Sequence, residues 1–229
     1  MIPKLTLALF FLAIASGSIA AEEPSFSAPG DLARGSGRGV TDPNVYYSGI
    51  RFPLEKGPAF LNSQVYGKGG SNGPTGGQCD ESNYSYPWRD NFCESRTWDM
   101  RICPSGKGHQ GQDIRPATCT AKVHWAVAVE DGFIAQIGTY SVTLQSANGT
   151  LYRYLHLQMD DLAVRELDKV KRGERIGKVS NDYPGSSTTI HLHFDIKDSV
   201  IVGSKKIIAF VPPYSSLVES YKRLTKGQP

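Results

Sequence analysis

The chain has 229 residues and a formal net charge of +3. So small a charge gives no electrostatic basis for binding nucleic acid or another polyanion. The length allows one domain with a sizeable hydrophobic core.

Residues 1–20 have the pattern of a cleaved secretory signal. Lys4 precedes an apolar run, and the triplet Ser18-Ile19-Ala20 places the cleavage after Ala20. The run is too short for a comfortable membrane span, and no second candidate span follows. We expect a soluble mature protein of roughly 209 residues, periplasmic or secreted and without stable membrane insertion. An uncleaved N-terminal anchor is the alternative.

Residues 22–49 are poor in large apolar side chains and rich in Gly, Ser, Pro and Asp. This composition predicts a flexible leader. Such a leader could lie across a groove and keep the protein latent, although a disordered linker explains the composition equally well. Apolar residues become regular after this segment, so we expect the main domain at 50–229.

Four cysteines stand close together in the sequence: Cys79, Cys93, Cys103 and Cys119. In an exported chain an even count predicts two disulfides, with three possible connectivities. No C-x-x-C spacing is present, which argues against a four-cysteine zinc site. The sequential pairing, Cys79–Cys93 with Cys103–Cys119, is favoured because it closes two short loops.

From residue 123 the pattern is largely that of β-strands. A strand over 123–129, a hairpin turn at Asp131-Gly132 and a return strand over 133–137 are predicted first. A second hairpin turns at Asn148-Gly149, between strands at 140–145 and 151–157.

The remaining segments add one strand and one helix. Residues 160–172 fit either a short helix or irregular structure, and a strand is predicted near 175–180. Leu217, Tyr221 and Leu224 recur at helical spacing, which predicts a short C-terminal helix. The predicted fold class is therefore mainly β, a compact antiparallel β-sheet domain with minor helix.

Residues 190–196, Ile-His-Leu-His-Phe-Asp-Ile, alternate strictly between apolar and polar side chains. This period predicts a strand with Leu192, Phe194 and Ile196 in the core. His191, His193 and Asp195 then share the opposite face, with the two imidazoles about 6.6 Å apart. One histidine could bind a metal and the other could reach the same site, but an exposed pair on a solvated face is the alternative.

Two other segments carry histidines with suitable neighbours. In Gly108-His109-Gln110-Gly111-Gln112-Asp113, His109 and Asp113 offer the nitrogen and oxygen donors that zinc accepts. The two glycines permit tight turns that could aim both side chains at one ion. In Tyr152–Leu157, alternation places Tyr152, Tyr154 and His156 on one strand face. His124 is interpreted as a packing or surface residue.

A catalytic zinc needs three protein ligands, an open position and a nearby base. The H-E-x-x-H helix is absent, so histidines must act as the base. The number of histidines is sufficient for both ligands and bases, but it leaves open which of His191 and His193 binds the metal.

The three histidine segments together resemble the lysostaphin/LytM-type zinc endopeptidases. The likeness rests on His109–Asp113 as H-x-G-x-D, Tyr154–Leu157 as Y-x-H-L and His191–Asp195 as H-L-H-F-D, and it covers roughly residues 55–213. It is supported by a strand-Asp-Gly-strand hairpin at 125–134 and a V-x-x-G-x-x-I-G turn at 170–177.

The resemblance implies one zinc ion bound by His109, Asp113 and His193. It implies that His156 and His191 activate water and stabilise the oxyanion, and that the substrate is a peptide cross-link of bacterial peptidoglycan. The cysteine-rich insert at 79–103 departs from the pattern and lies where a groove wall is expected.

Two other functions stay open at this point. One is a non-catalytic cell-wall-binding or hydrolase-activating scaffold of the same fold, although this chain keeps every ligand that such relatives typically lose. The other is a secreted protease that acts on glycine-rich proteins. The sequence does not identify the bond cleaved, the partner or the oligomeric state.

Overall fold

The computed structural model describes residues 23–202 and 204–229. The predicted signal at 1–20 lies outside these residues. Among the residues described, no helix is both long and apolar enough to cross a membrane.

The described residues form ten β-strands and one α-helix, which confirms the mainly β prediction. In chain order these are β1 (Phe60–Leu61), β2 (Gln112–Arg115), β3 (Trp125–Val127), β4 (Gly132–Ile137), β5 (Ser141–Ser146), β6 (Leu151–Leu155), β7 (Lys169–Val170), β8 (Arg175–Lys178), β9 (Leu192–Val202), β10 (Lys205–Val211) and α1 (Tyr214–Thr225). A 3₁₀ turn covers Glu81–Tyr84.

Eight strands build one antiparallel sheet in the order β1-β2-β9-β6-β5-β4-β7, and β10 also pairs with β9. Strands β3 and β8 form a separate two-stranded sheet. Strand β9 is 11 residues long and has β2 and β6 on its two sides. The strand with the richest histidine pattern is therefore central, where neighbours on both edges can bring side chains to it.

The hydrophobic core lies on one face of β9. Leu192, Phe194 and Ile196 are fully buried, as their alternation predicts. The rings of Tyr152 and Tyr154 on β6 pack against Phe194, with centroid distances of 6.2 and 5.3 Å. Apolar packing on this face leaves the other face of β9 for polar side chains.

The predicted C-terminal helix is confirmed as α1, and it anchors the cysteine-rich insert. Tyr221 on α1 lies 4.4 Å from Trp88 and 4.9 Å from Phe52, measured between ring centroids. The Trp88 indole N–H donates to the Ala59 carbonyl at 2.7 Å. Because Trp88 is fully buried, the insert is held by the main core.

The predicted hairpin at Asp131-Gly132 is wrong. Strand β3 pairs with β8, whereas β4 pairs with β5 and β7. The backbone of Ala128 donates to Glu174 and accepts from Gly173, both at 2.8 Å, so the chain leaving β3 continues beside residues 173–174. The Asp131 carboxylate accepts from the Arg172 amide. Asp131 therefore lies in the connection that leads from the two-stranded sheet to the large sheet. Residues 160–172 contain β7 and no helix.

Both disulfides form, but the sequential pairing is wrong. The bonds join Cys79 to Cys119 and Cys93 to Cys103. Arg115 at the end of β2 donates to the Gln78 carbonyl at 3.0 Å, which brings Cys79 beside the chain that follows β2. The loop closed by the Cys79–Cys119 disulfide therefore contains both the insert and the H-x-G-x-D segment.

Residues 23–49 pack along the insert, although their composition predicts a flexible leader. The amide of Ser27 donates to Trp88, the amide of Trp88 donates to Ser25, and the amide of Ser95 donates to Ser36, at 2.7–2.9 Å. These contacts are made by the backbone, so composition does not reveal them.

Candidate metal centre

Strand register brings two of the predicted ligands together. Asp113 on β2 is the direct cross-strand partner of His193 on β9. Their side chains lie on the face opposite the core, with the Asp113 Oδ1 to His193 Nδ1 distance at 3.1 Å. His109 precedes β2 and joins them, with its Nε2 2.9 Å from His193 Nδ1.

Gly111 is required for the close approach of β2 to β9. A Cβ atom at this position would lie 2.8 Å from Asp195 Cβ and 2.9 Å from His193 Nε2, closer than real side chains approach. A Cβ at Gly108 would lie 2.7 Å from the Cys93 Cα. Close packing, rather than the tight turns expected from sequence, explains these glycines.

The hydrogen bonds of the two histidines fix their tautomers. His109 Nδ1 lies 2.9 Å from the Asn91 carbonyl, which can only accept, so this nitrogen carries the proton. His193 Nε2 lies 3.2 Å from the Asp195 carboxylate and is likewise the donor. The nitrogens facing each other, His109 Nε2 and His193 Nδ1, therefore both offer lone pairs in their neutral forms.

These two lone pairs and the Asp113 carboxylate converge on one point. Adjacent donor atoms around a tetrahedral zinc lie about 3.4 Å apart, given ligand distances near 2.1 Å. The three pairs of donor atoms here are separated by 2.9, 3.1 and 3.3 Å. All three side chains are buried. Three convergent acceptors without a donor between them suit a cation, and this N, N, O donor set suits zinc.

The pKa values of His193 and Asp113 also indicate that the cluster favours a positive charge. Burial lowers the pKa of the His193 imidazole, but the Asp113 and Asp195 carboxylates outweigh burial and raise it to about 9. Burial also raises the pKa of Asp113, but His109 and His191 overcome this and hold it well below its usual range. Without a metal, a proton occupies the place where a cation fits.

His156 and His191 lie beside this cluster, with their ring centroids 4.7 Å apart. The Nδ1 atom of His156 lies 2.9 Å from the Asp182 carbonyl, and that of His191 lies 2.8 Å from the Thr189 carbonyl. Each Nδ1 therefore carries the proton, and each Nε2 has a lone pair in the neutral form. The Nε2 atom of His191 lies 3.4 Å from Asp113 Oδ1, so this imidazole reaches the cluster directly. Burial, together with the nearby His191, lowers the pKa of His156 to about 3.

The predicted face of His156 is wrong, although its place in the site is not. Tyr152 and Tyr154 face the core, and Leu155 is the cross-strand partner of His193 on the metal side. His156 follows the end of β6 with a φ of 66°. This left-handed residue breaks the alternation and turns the imidazole to the metal side.

Asn91 in the insert bonds two of the candidate ligands, and the sequence does not reveal this. Its carbonyl accepts from His109, and its side-chain Oδ1 accepts from the Asp113 amide at 3.2 Å. The amide of Cys93 also donates to the His109 carbonyl at 3.0 Å. The insert thus positions two ligands as well as forming a wall.

Asp195 has a clear structural partner in Arg153. The guanidinium donates from Nε and Nη2 to both carboxylate oxygens, at 2.7–3.1 Å. The carboxylate is fully buried and also accepts from His193. Asp195 therefore fixes both the tautomer and the orientation of a metal ligand.

A cavity of about 400 Å³ opens over the cluster. The insert contributes Arg96 and Trp98 to its lining, and the segment 183–188 contributes Tyr183 and three hydroxyl side chains. None of residues 23–49 lines it. His124 does not line this cavity, and its Nε2 lies 2.7 Å from Thr118 Oγ1.

Comparison with known protein families gives one match, in the central part of the chain. Residues 107–205 match the model of Peptidase family M23. This segment contains all three histidine motifs, so the match confirms the resemblance drawn from them. No match was found among curated proteins.

Several solved structures are similar to this chain. A candidate glycyl-glycine endopeptidase, lytM, from Ruminococcus gnavus has 17% identity over 78% of this chain and 62% of its own length, with a TM-score of 0.47. The lysostaphin catalytic domain from Staphylococcus simulans has 23% identity over 53% of this chain and 87% of its own, with a TM-score of 0.38. A candidate M23 peptidase from Pseudomonas aeruginosa has 22% identity over 48% and 43%, with a TM-score of 0.36. The chain thus spans less than two thirds of the first of these proteins.

Proposed function

We propose that this chain, whose residues 107–205 are an M23 peptidase segment, is an exported zinc metalloendopeptidase that hydrolyses peptide cross-links of bacterial peptidoglycan. One observation carries the proposal. Three buried acceptor atoms of His109, Asp113 and His193 converge, and two further imidazoles stand beside them, each with its Nδ1 bonded to a backbone carbonyl.

The protein's own groups can handle the protons of peptide hydrolysis. Bound zinc would supply Lewis acidity at the scissile carbonyl and make the attacking water more acidic. The Nε2 atoms of His156 and His191 are the available bases, since each Nδ1 is already a donor to a carbonyl. Once protonated, the same imidazoles can donate to the oxyanion or to the leaving amine.

Substrate and compartment rest on the family and the sequence. The resemblance to the lysostaphin/LytM-type endopeptidases implies peptidoglycan peptides as the substrate of this chain. The pattern of residues 1–20 and the two disulfides fit an oxidising compartment outside the cytoplasm. A periplasmic or secreted location follows.

Mass spectrometry of fragments released from defined peptidoglycan tests catalysis, metal dependence and bond choice together. We expect the mature chain to release peptides with new amino termini, and a chelator to stop this. His109→Ala should lower kcat/KM by at least about 1000-fold, because it removes a ligand. His124→Ala is the matched control, since this histidine lies outside the cavity.

Activity that survives both the chelator and His109→Ala would exclude the metallopeptidase. A zinc-loaded chain that binds sacculi but releases nothing would favour the scaffold function. Faster cleavage of a glycine-rich protein than of sacculi would favour the secreted protease.

A further inference from the structure

We propose that Arg96 is a specificity-determining residue that binds a free carboxylate of the substrate peptide. The inference rests on the proposed function and narrows its substrate class. It favours anionic peptides, with a carboxylate near the scissile bond, over neutral glycine cross-bridges.

Arg96 lies on the short loop that the Cys93–Cys103 disulfide closes. It lines the same cavity as the metal cluster, together with Trp98 from the same loop. The amide of Gly108 donates to the Trp98 carbonyl at 3.0 Å, so this loop is bonded to the residue before His109. A substrate at the metal cluster would therefore contact the loop.

The lining of the cavity has more cations than anions. Arg96 and Arg153 line it, and Asp113 is the one carboxylate among the described lining residues. Asp113 is directed at His109 and His193. The carboxylates paired with the two arginines, Glu94 and Asp195, are fully buried and do not line the cavity. A substrate therefore meets guanidinium groups rather than carboxylates.

Arg96 is better able than Arg153 to accept a new anion. Asp195 binds Arg153 through both Nε and Nη2. Arg96 contacts Glu94 through Nη2 alone, at 2.9 Å, and Nη1 donates to the Ser95 carbonyl at 2.8 Å. A guanidinium has more N–H donors than these two contacts use.

The Arg96 side chain is also held in place before any substrate arrives. Only 15% of it is exposed, and its Glu94 partner is not exposed at all. Ordering a long side chain costs conformational entropy, and here that cost falls on folding rather than on binding. Arginine then binds a carboxylate through charge-assisted bonds, and their usual strength corresponds to about 10- to 100-fold in affinity.

The test compares two peptides that differ in one group. One is a peptidoglycan peptide with a free carboxylate beside the scissile bond, and the other carries a carboxamide there. We expect the wild-type chain to prefer the carboxylate peptide by about 10- to 100-fold in kcat/KM, mainly through KM. Arg96→Gln should reduce this ratio to about one, mainly by raising KM for the carboxylate peptide. Arg96→Lys should keep part of it, since it keeps the charge.

Arg101→Gln is the matched control. Arg101 lies on the same disulfide loop but is exposed and lines a different cavity, so its loss should leave the ratio unchanged. The double variant Glu94→Gln/Arg96→Gln removes the buried charge that Arg96→Gln leaves unpaired, and it should also lose the preference. Equal cleavage of both peptides by wild type, or a preference that survives Arg96→Gln, would overturn the proposal.

Calorimetry separates this inference from the proposed function. If the wild-type chain cleaves no peptide, the proposed function fails, and binding of the two peptides to the zinc-loaded chain decides the role of Arg96. Tighter binding of the carboxylate peptide that Arg96→Gln abolishes supports the carboxylate site. Equal binding of both peptides overturns it.

Discussion

At the scale of single residues, the chemistry of the site depends on which nitrogen of each histidine carries the proton. Four different acceptors decide this: the carbonyls of Asn91, Asp182 and Thr189, and the Asp195 carboxylate. Each accepts a hydrogen bond from one ring N–H of an imidazole, so the other ring nitrogen keeps its lone pair on the side of the metal cluster. These hydrogen-bond partners thus set the tautomers of the histidine ligands and of the two candidate bases.

A substitution at Asp195 gives the most direct test of this control over the tautomers. Asp195→Asn removes the charge behind His193 while keeping the size of the side chain, and we expect the zinc dissociation constant to rise by about 10- to 100-fold. Competition with a chromophoric chelator measures it. Asp198→Asn is the control, because Asp198 lies on the same strand and bonds Tyr47 and Thr150. Equal zinc affinities for the two variants would contradict the role given to Asp195.

At the scale of elements, β9 and the insert each position part of the candidate metal centre. Strand β9 supplies His193 and, through its register with β2, sets the position of Asp113. The insert holds His109 through Asn91 and Cys93. His109 therefore depends on the insert, where a disulfide closes the loop that begins at Cys93, and His193 depends on the central sheet. Asp113 depends on both, because Asn91 also bonds its amide.

The two disulfides should consequently have different effects when they are removed. The Cys79–Cys119 loop is the longer, with a sequence separation of 40 against 10 for Cys93–Cys103. In the chain-entropy model their loss costs about 4 and 3 kcal/mol of unfolding free energy, respectively. Replacing each pair by serine should therefore destabilise the chain more for Cys79/Cys119 in denaturant titrations.

Zinc affinity should rank the other way, because Cys93 is bonded to the chain at His109. We expect the Cys93→Ser/Cys103→Ser variant to bind zinc more weakly than the Cys79→Ser/Cys119→Ser variant. A chelator competition assay on the two folded variants compares them directly. The same order in both measurements would show that the short disulfide has no separate connection to the metal.

At the scale of the whole molecule, the hydrophobic core and the metal cluster lie on opposite faces of one sheet. The core residues Leu192, Phe194 and Ile196 are buried without any contribution from the ligands. Removal of the metal should therefore leave a folded but less stable domain, in contrast to small zinc-dependent folds.

Thermal unfolding checks this expectation. Zinc at about 100 times its dissociation constant should stabilise the chain by about 2.7 kcal/mol, which corresponds to about 5–10 °C in Tm. Asp113→Asn should lose most of the zinc-dependent shift, and His124→Ala should keep it. A shift that persists in Asp113→Asn would place the zinc elsewhere on the chain.

The sequence by itself determined the type of fold and the candidate residues that the structure brings together at the metal cluster. A local period of two is sufficient to predict the buried face of β9. The histidine motifs give the candidate ligands, and the set His109, Asp113 and His193 follows from their resemblance to the lysostaphin/LytM-type endopeptidases. The close approach at Gly111 is likewise recorded in the motif, because no other residue fits there.

Only the tertiary structure decided which segments meet. Strand β3 pairs with β8 rather than β4, and Cys79 pairs with Cys119 across 40 residues, because contacts between distant segments outweigh closeness in sequence. The alternation predicts that His156 shares a strand face with Tyr152 and Tyr154, but the left-handed backbone of His156 places its imidazole on the metal side, opposite these tyrosines. The insert has no motif of its own, yet it holds a candidate ligand and lines the cavity with Arg96. No periodic pattern in the sequence could indicate where its backbone packs.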